Sequence, residues 1–454
     1  MAGMNLKRIV KPGLAAHTTL GLVTAVLLYI ICLSGTVLVL YEEWQRAEQP
    51  NAPEMAAPSP DAVQRAIETV LASEADSPPT THLYVHFPTE GLPRTTITTD
   101  SQAVHVDADG AVAMPEENAW SEFLYALHYR LNLPALWGIT LVGALGAAML
   151  ALIITGIIAH PRIFRDAFRL RARDKGGVGV TDWHNRLGVW TLPFGIAIAL
   201  TGAVIGLATV AAYGLADRYY EGDVAAVYAP LFGPERAEDP APAPMPNVAP
   251  ALRYIKDNYP EHRPTYIIAH DPMTAGQHVQ LIAAPPRRLI FGEYFLFDAE
   301  GDFEGTAGLS DGPLGQQTSA SVYSLHFGDY GGLAVKLAYI LFGLALTVIT
   351  ATGMSIWFGK RARRGVHEPR LRAAWDGLVW GTPAMLVLTF VLRALFGNEL
   401  FLAGFALPFA AIFWIGLLAV VCGAAASAGG VRLKAGLQAA TPIGLVAAFV
   451  LLLV

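Results

Sequence analysis

The sequence predicts a membrane all-α helical bundle of about seven transmembrane helices, carrying two α+β modules outside the membrane and built by internal duplication. Three observations support this. Hydrophobic residues make up 54% of the 454 residues and charged residues 15%, with the apolar positions in long unbroken blocks. Two long acidic segments interrupt those blocks, each with the short alternating runs of strands. Four histidines stand at mirrored places beside the apolar blocks.

Seven stretches reach the roughly 20 residues that a hydrocarbon core requires: about 17–42, 136–159, 186–212, 333–357, 374–396, 400–424 and 435–454. The first follows Lys7, Arg8 and Lys11 as a signal peptide would, but its apolar run is too long and lacks a small-residue cleavage site, so it reads as a retained anchor. Orientation follows from the basic residues. Those of the N-terminus, of 160–185 (Arg162, Arg165, Arg169, Arg171, Arg173, Lys175), of 360–373 (Lys360, Arg361, Arg363, Arg364, Arg370, Arg372) and the pair Arg432 and Lys434 mark the cytoplasmic side. Segments 44–135 and 213–332 hold 29 of the 37 acidic residues and only 11 basic ones, which places them outside. The expected location is therefore a bacterial inner membrane, multi-pass, with periplasmic loops.

The organisation that results is 1–43, cytoplasmic N-terminus and first span; 44–135, external module; 136–212, second span, loop and third span; 213–332, second external module with a Pro-rich linker; 333–373, fourth span and loop; and 374–454, the last three spans. Each external segment has a Pro-rich linker, then a short helix over 60–73 or 248–259, then strand-like runs. The runs are His82 to Phe87, Arg94 to Thr99 and Ala103 to Asp107 in one, and Thr265 to Ala269, His278 to Ala283 and Leu289 to Asp298 in the other. Asp107-Ala108-Asp109-Gly110 and Asp298-Ala299-Glu300-Gly301 supply turns of one kind.

The histidines follow the same duplication. His17 is followed by Gly21 and Gly35, and His184 by Gly188 and Gly202, at the same offsets of four and eighteen. Eighteen residues is five helical turns, so each His and its distant Gly share a face about 27 Å long. Tyr125-Ala126-Leu127-His128 leads to Thr155-Gly156, and Tyr323-Ser324-Leu325-His326 leads to Thr352-Gly353. Faces with an imidazole at one end and a backbone notch at the other suit a flat cofactor, and duplicated halves commonly place a site at their interface.

Other chemistry is closed off by composition. Cys32 and Cys422 are the only cysteines and both fall in expected spans, leaving no external disulfide, cysteine zinc site, iron–sulfur cluster or covalent haem attachment. No dinucleotide fingerprint, P-loop or flavin motif occurs, and nothing is basic enough for nucleic acid.

Over about 10–360 the pattern resembles the PepSY-associated transmembrane proteins, many of them iron-regulated, which include periplasmic ferric-siderophore reductases. The motifs that match are His17-x-x-x-Gly21 with Ser34-Gly35, Leu127-His128 with Thr155-Gly156, His184-x-x-x-Gly188 with Thr201-Gly202, and Leu325-His326 with Thr352-Gly353. Spans five to seven exceed the four-helix core of the best understood reductases, and Ser34 replaces the Thr found in the other three motifs. The resemblance implies that the external segments are PepSY modules, that the chain is an oxidoreductase and that a ferric siderophore is its acceptor. Two neutral imidazoles from facing helices are the axial set of a low-spin haem, which here must be b-type. His17 with His184, and His128 with His326, are the expected ligands of two haems b; Gly21 and Gly188 make room for the porphyrin edge, and Arg130 and Arg186 are placed for propionates. His160 competes for the cytoplasmic-side position. Electrons come from a cytoplasmic reductase or membrane quinol; no protein nucleophile or general acid is needed.

Competing readings are a haem-free envelope protein whose modules bind or regulate a periplasmic protease or partner, an iron or chelate permease, and a haem protein with another small oxidised acceptor. The remaining external histidines, His82, His86, His105, His262, His270 and His278, read as surface or sheet positions, with His82 and His86 on one strand face. Trp44, Trp120, Trp137, Trp183, Trp190 and Trp357 read as an aromatic belt, Lys336 and Arg393 as snorkelling cations, and Gly143 with Ala147 as helix packing.

Overall fold

Apolar blocks of this length satisfy their backbone within hydrocarbon only as helices, and helices form where hydropathy places them. The computed structural model describes residues 6–171, 177–233, 236–402, 404–427 and 431–453. Arg173 and Lys175, and the side chains of Lys7 and Arg432, lie outside the described residues. The chain forms two compact units, one of residues 1–41, 119–208 and 326–454 and one of 42–118 and 209–325.

In the first unit α1 (Leu6–Leu38) packs against α5 (Ala135–Ala159) and α11 (Gly332–Ala362), with α4 (Ala119–Arg130) against α1 and α5. The helix α6 (Val178–Trp190) lies on α11, and α12 (Pro369–Phe396) packs on α13 (Phe409–Ser427) and α14 (Val431–Leu453). Among the described residues six helices are long and apolar enough to cross a membrane: Arg8–Leu38, Ala135–Ala159, Leu192–Tyr219, Gly332–Ala362, Pro369–Phe396 and Phe409–Ser427. The chain is therefore a multi-pass membrane protein. The expected seventh stretch forms α14 but is not among the six.

Two boundaries differ from expectation. The first helix begins well before residue 17, at Leu6, and runs on through Pro12 and Gly13 despite their poor helix propensity. The stretch expected at 186–212 is split: α6 ends at Trp190, and α7 (Leu192–Tyr219) restarts with Pro193 in its first turn, where a missing N–H costs nothing. His184 and Gly202 thus lie on separate helices. Small-residue packing occurs where expected, since a Cβ on Gly143 would stand 2.6 Å from the Gly206 backbone of α7. Trp120 is not part of an interfacial belt: it is 2% exposed and donates Nε1–H to Thr389 Oγ1. Arg393 is likewise buried, at 5% exposure, instead of reaching for the interface.

The second unit holds α2 (Tyr41–Glu48, beginning one residue earlier), α3 (Pro60–Ser73), α8 (Val224–Phe232), α9 (Ala249–Asn258) and most of α10 (Leu314–Phe327). Its strands are β1 (His82–His86), β2 (Thr95–Thr98), β3 (Ala103–Val106), β4 (Val112–Pro115), β5 (Arg263–His270), β6 (His278–Ala284), β7 (Glu293–Phe297) and β8 (Phe303–Thr306). They form one antiparallel sheet in the order β4-β3-β2-β1-β5-β6-β7-β8. The two modules therefore share a sheet, joined where β1 pairs with β5 from His82↔His270 to His86↔Tyr266. Alternation along the strands sends Leu83, Val85, Ile97, Ile267, Leu281 and Phe295 into a core with α3 and α9. The duplication extends to the turns: Asp107 Oδ1 accepts from the amides of Asp109 and Ala111, and Asp298 Oδ1 from those of Glu300 and Asp302. Gly110 and Gly301 follow with φ of 85° and 87°, a conformation that glycine adopts without strain.

Candidate cofactor-binding site

An imidazole among apolar helices is costly unless its nitrogens are used. All four expected histidines belong to the first unit, and each uses Nδ1 in the same way. His17 of α1 donates to the Leu152 carbonyl of α5 at 3.0 Å, with Thr155 Oγ1 at 3.4 Å. His128 of α4 meets the Ile31 carbonyl of α1 at 3.0 Å and Ser34 Oγ at 3.3 Å. His184 of α6 meets the Ile349 carbonyl of α11 at 3.0 Å and Thr352 Oγ1 at 3.2 Å. His326 of α10 meets Thr201 Oγ1 of α7 at 2.9 Å, with the Ile198 carbonyl as its backbone partner.

The receptor is one motif used four times. A helix carbonyl is followed three residues on by Ser or Thr and four on by Gly: Ile31/Ser34/Gly35, Leu152/Thr155/Gly156, Ile198/Thr201/Gly202 and Ile349/Thr352/Gly353. The hydroxyls donate their own hydrogens to carbonyls of their own helix, Thr155 to Ala151, Thr201 to Ala197, Thr352 to Val348 and Ser34 to Ile31. They face the rings as acceptors. Since a carbonyl only accepts, Nδ1 carries the ring proton and Nε2 keeps its lone pair. Among the described residues no Nε2 of the four makes a hydrogen bond.

Glycine completes the receptor by letting the ring rest on backbone. A Cβ would stand 2.5 Å from His128 Cε1 at Gly35, 3.0 Å from His326 Cε1 at Gly202, 3.3 Å from His17 Cε1 at Gly156 and 3.5 Å from His184 Cε1 at Gly353. Gly35, Gly202 and Gly156 therefore leave room for a histidine of a neighbouring helix, while at Gly353 the contact would be an ordinary one. The expected edge glycines differ: a Cβ on Gly21 would make ordinary contact with Leu152 at 3.6 Å, and one on Gly188 would meet open space.

The structure brings the histidines together in two pairs. Ring centres of His17 and His184 lie 6.2 Å apart with planes at 80°, and those of His128 and His326 lie 6.2 Å apart with planes at 29°. Two imidazoles binding one ion through nitrogens at about 2 Å each have centres about 6 Å apart. His128 rests on Gly35, eighteen residues along α1 from His17, so the pairs stand roughly 27 Å apart along that helix. The donor set fits a tetrapyrrole: two lone pairs per site, each imidazole oriented by a carbonyl as metal-bound histidines are. Among the described residues no cluster of three or more His, Cys, Asp or Glu is arranged for a metal ion, a different kind of site from two imidazoles facing across a ring. An apolar groove lined by Trp183, Leu187, Val348 and Thr352 runs beside the His184 receptor.

The other candidates lie apart. Arg186 is two residues, and hence about 200° of helix, from His184; it is 3% exposed, donates Nε–H to the Arg169 carbonyl and lies 3.9 Å from Asp182. Arg130 is more exposed and donates to the Leu133 carbonyl. His160 caps the end of α5 and makes no ring contact with either pair among the described residues. In the second unit His105 is a buried structural residue between Thr96 and Gln49. His82, His270 and His278 stand opposite one another on three adjacent strands.

Sequence reasoning named the histidines and missed their receptors. The signal was present, since all four Ser/Thr-Gly pairs follow a Leu or Ile carbonyl at the same spacing.

Comparison with known proteins agrees in extent with this site. Residues 14–360 match the profile of the PepSY-associated TM region, a span that holds both histidine pairs and the shared sheet. An uncharacterized protein of Pseudomonas aeruginosa is 28% identical over 258 residues, which is 50% of this chain and 60% of that protein.

Proposed function

This chain belongs to the PepSY-associated transmembrane family, and we propose that it is a haem-b protein of the bacterial inner membrane that delivers single electrons to a ferric siderophore on the periplasmic side. One observation carries the reading: two histidine pairs at opposite ends of α1, built on four copies of one receptor and each with ring centres 6.2 Å apart. His17 and His184 would hold one haem b, and His128 and His326 the other. When bound, haem supplies reversible one-electron chemistry with little rearrangement.

The chain's own residues do the rest. The carbonyls of Leu152, Ile31, Ile349 and Ile198 fix each ring's tautomer, so that Nε2 is the ligating atom. The hydroxyls of Thr155, Ser34, Thr352 and Thr201 keep Nδ1 satisfied, and the glycines hold the rings against backbone. Hydroxamate and catecholate oxygens hold hard Fe³⁺ tightly and Fe²⁺ poorly, so one electron loosens the metal. The electron donor is a cytoplasmic reductase or membrane quinol.

The test uses protein purified in detergent, reduced anaerobically with limiting dithionite and mixed with a ferric hydroxamate and a ferrous-specific chelator. Reoxidation of a haem spectrum with stoichiometric trapping of Fe²⁺ is expected. A haem spectrum indifferent to ferric chelates would remove the acceptor from the proposal.

A further inference from the structure

Lys360 is a cation that no part of the reading above uses. It lies in the last turn of α11, seven residues after Gly353, the glycine beneath the His184 ring. Seven residues are two helical turns less about 20°, so Lys360 stands on the same face of α11 as that receptor, about 10 Å further along. Helical side chains lean toward the N-terminus, which turns the lysine stem back toward the ring. Lys360 is exposed, as a lysine at the end of a spanning helix ordinarily is, and it stands within electrostatic reach of both His17 and His184.

Its neighbours are engaged elsewhere. Arg361 forms a forked pair with Glu368 and stacks over Trp357. Lys360 makes no ion pair among the described residues. A cation within electrostatic reach of two imidazoles, with no ion pair among the described residues, is free to meet an anion carried by whatever those imidazoles hold. Haem b carries two carboxylates at one edge. Arg186, the expected carboxylate partner, faces the opposite side of α6, toward Arg169.

We propose that Lys360 pairs with a carboxylate of the group gripped by His17 and His184 and thereby raises the reduction potential of that site, an inference that rests on the haem reading. The ligand chemistry is an anionic carboxylate edge on a bis-imidazole cofactor. Lys360 is a positioning and tuning residue, since it touches neither the iron nor the acceptor.

The experiment is an optically monitored redox titration of the full-length protein in detergent, with haem content measured on the same samples. In Lys360→Met, which keeps length and removes charge, one of two one-electron steps should shift by about tenfold in equilibrium constant toward the oxidised form, equivalent to about 59 mV. Lys360→Arg should leave that step near its original position. Loss of one haem per chain from Lys360→Met, with both retained in Lys360→Arg, supports the same role. Two haems per chain with both steps unmoved in Lys360→Met would overturn the assignment while sparing the haem reading, as would an equal shift in Lys360→Arg. Wild-type protein without a haem spectrum would instead overturn the underlying reading.

Discussion

At each of the four imidazoles, the helix that receives the ring decides which nitrogen remains for chemistry. A carbonyl takes the Nδ1 hydrogen, a hydroxyl seconds it, and a glycine lets the ring lie close enough for both. The glycines are not equivalent. Gly35→Ala places a methyl 2.5 Å from His128 Cε1, whereas Gly353→Ala places one 3.5 Å from His184. Gly35→Ala should therefore lose most of one haem, and Gly353→Ala should retain nearly all, measured as haem per chain. Thr201→Val removes one acceptor from His326 and should weaken haem retention by about 1 kcal/mol, a several-fold rise in the haem dissociation rate. The four histidines were legible in the sequence because duplication repeats their register. Which glycine serves which histidine was not, since positions along one helix say nothing about the neighbour against which it packs. Gly35 aligned with His17 on paper and lies beneath His128 in the fold.

Within the second unit, the elements make a pH-dependent prediction. His105 on β3 is 2% exposed, sits between Thr96 Oγ1 and Gln49 Oε1, and is pushed down to about 4 by burial and then by the nearby Arg94 guanidinium. Burial also lowers His86 on β1 and His270 on β5 to about 4, the latter helped by the neighbouring His278. Groups with depressed folded values bind fewer protons folded than unfolded. Stability is thus full above about pH 6.5 and falls as pH drops toward about 4. The midpoint of thermal unfolding should rise with pH across that window and level off above it. His105→Gln should flatten the slope, by an amount on the order of 2 kcal/mol across the window. The helices α3 and α9 and six of the eight strands were readable from alternation and turn residues. The strands β4 and β8 were missed because they are short and mostly outside the core, and β8 contains a glycine, Gly305. The break between α6 and α7 escaped because a proline at a first helical turn leaves hydropathy unchanged.

For the whole molecule, duplication is the governing fact. Each half supplies one histidine to each pair, so the halves must assemble before either pair exists. His17→Ala and His326→Ala should each lower haem to about one per chain, and the double variant should lower it to none, because the pairs stand roughly 27 Å apart and share no ligand. The apolar spans and the two acidic segments between them were visible in composition. The merging of both modules into one sheet was not, since β1 and β5 pair across nearly the whole intervening chain and no local pattern encodes that contact.

The pyridine haemochrome assay on protein purified from haemin-replete cells tests the central claim most directly. Two haems b per chain, removed in step with the histidine pairs, is the predicted result; a colourless protein with none would contradict the account.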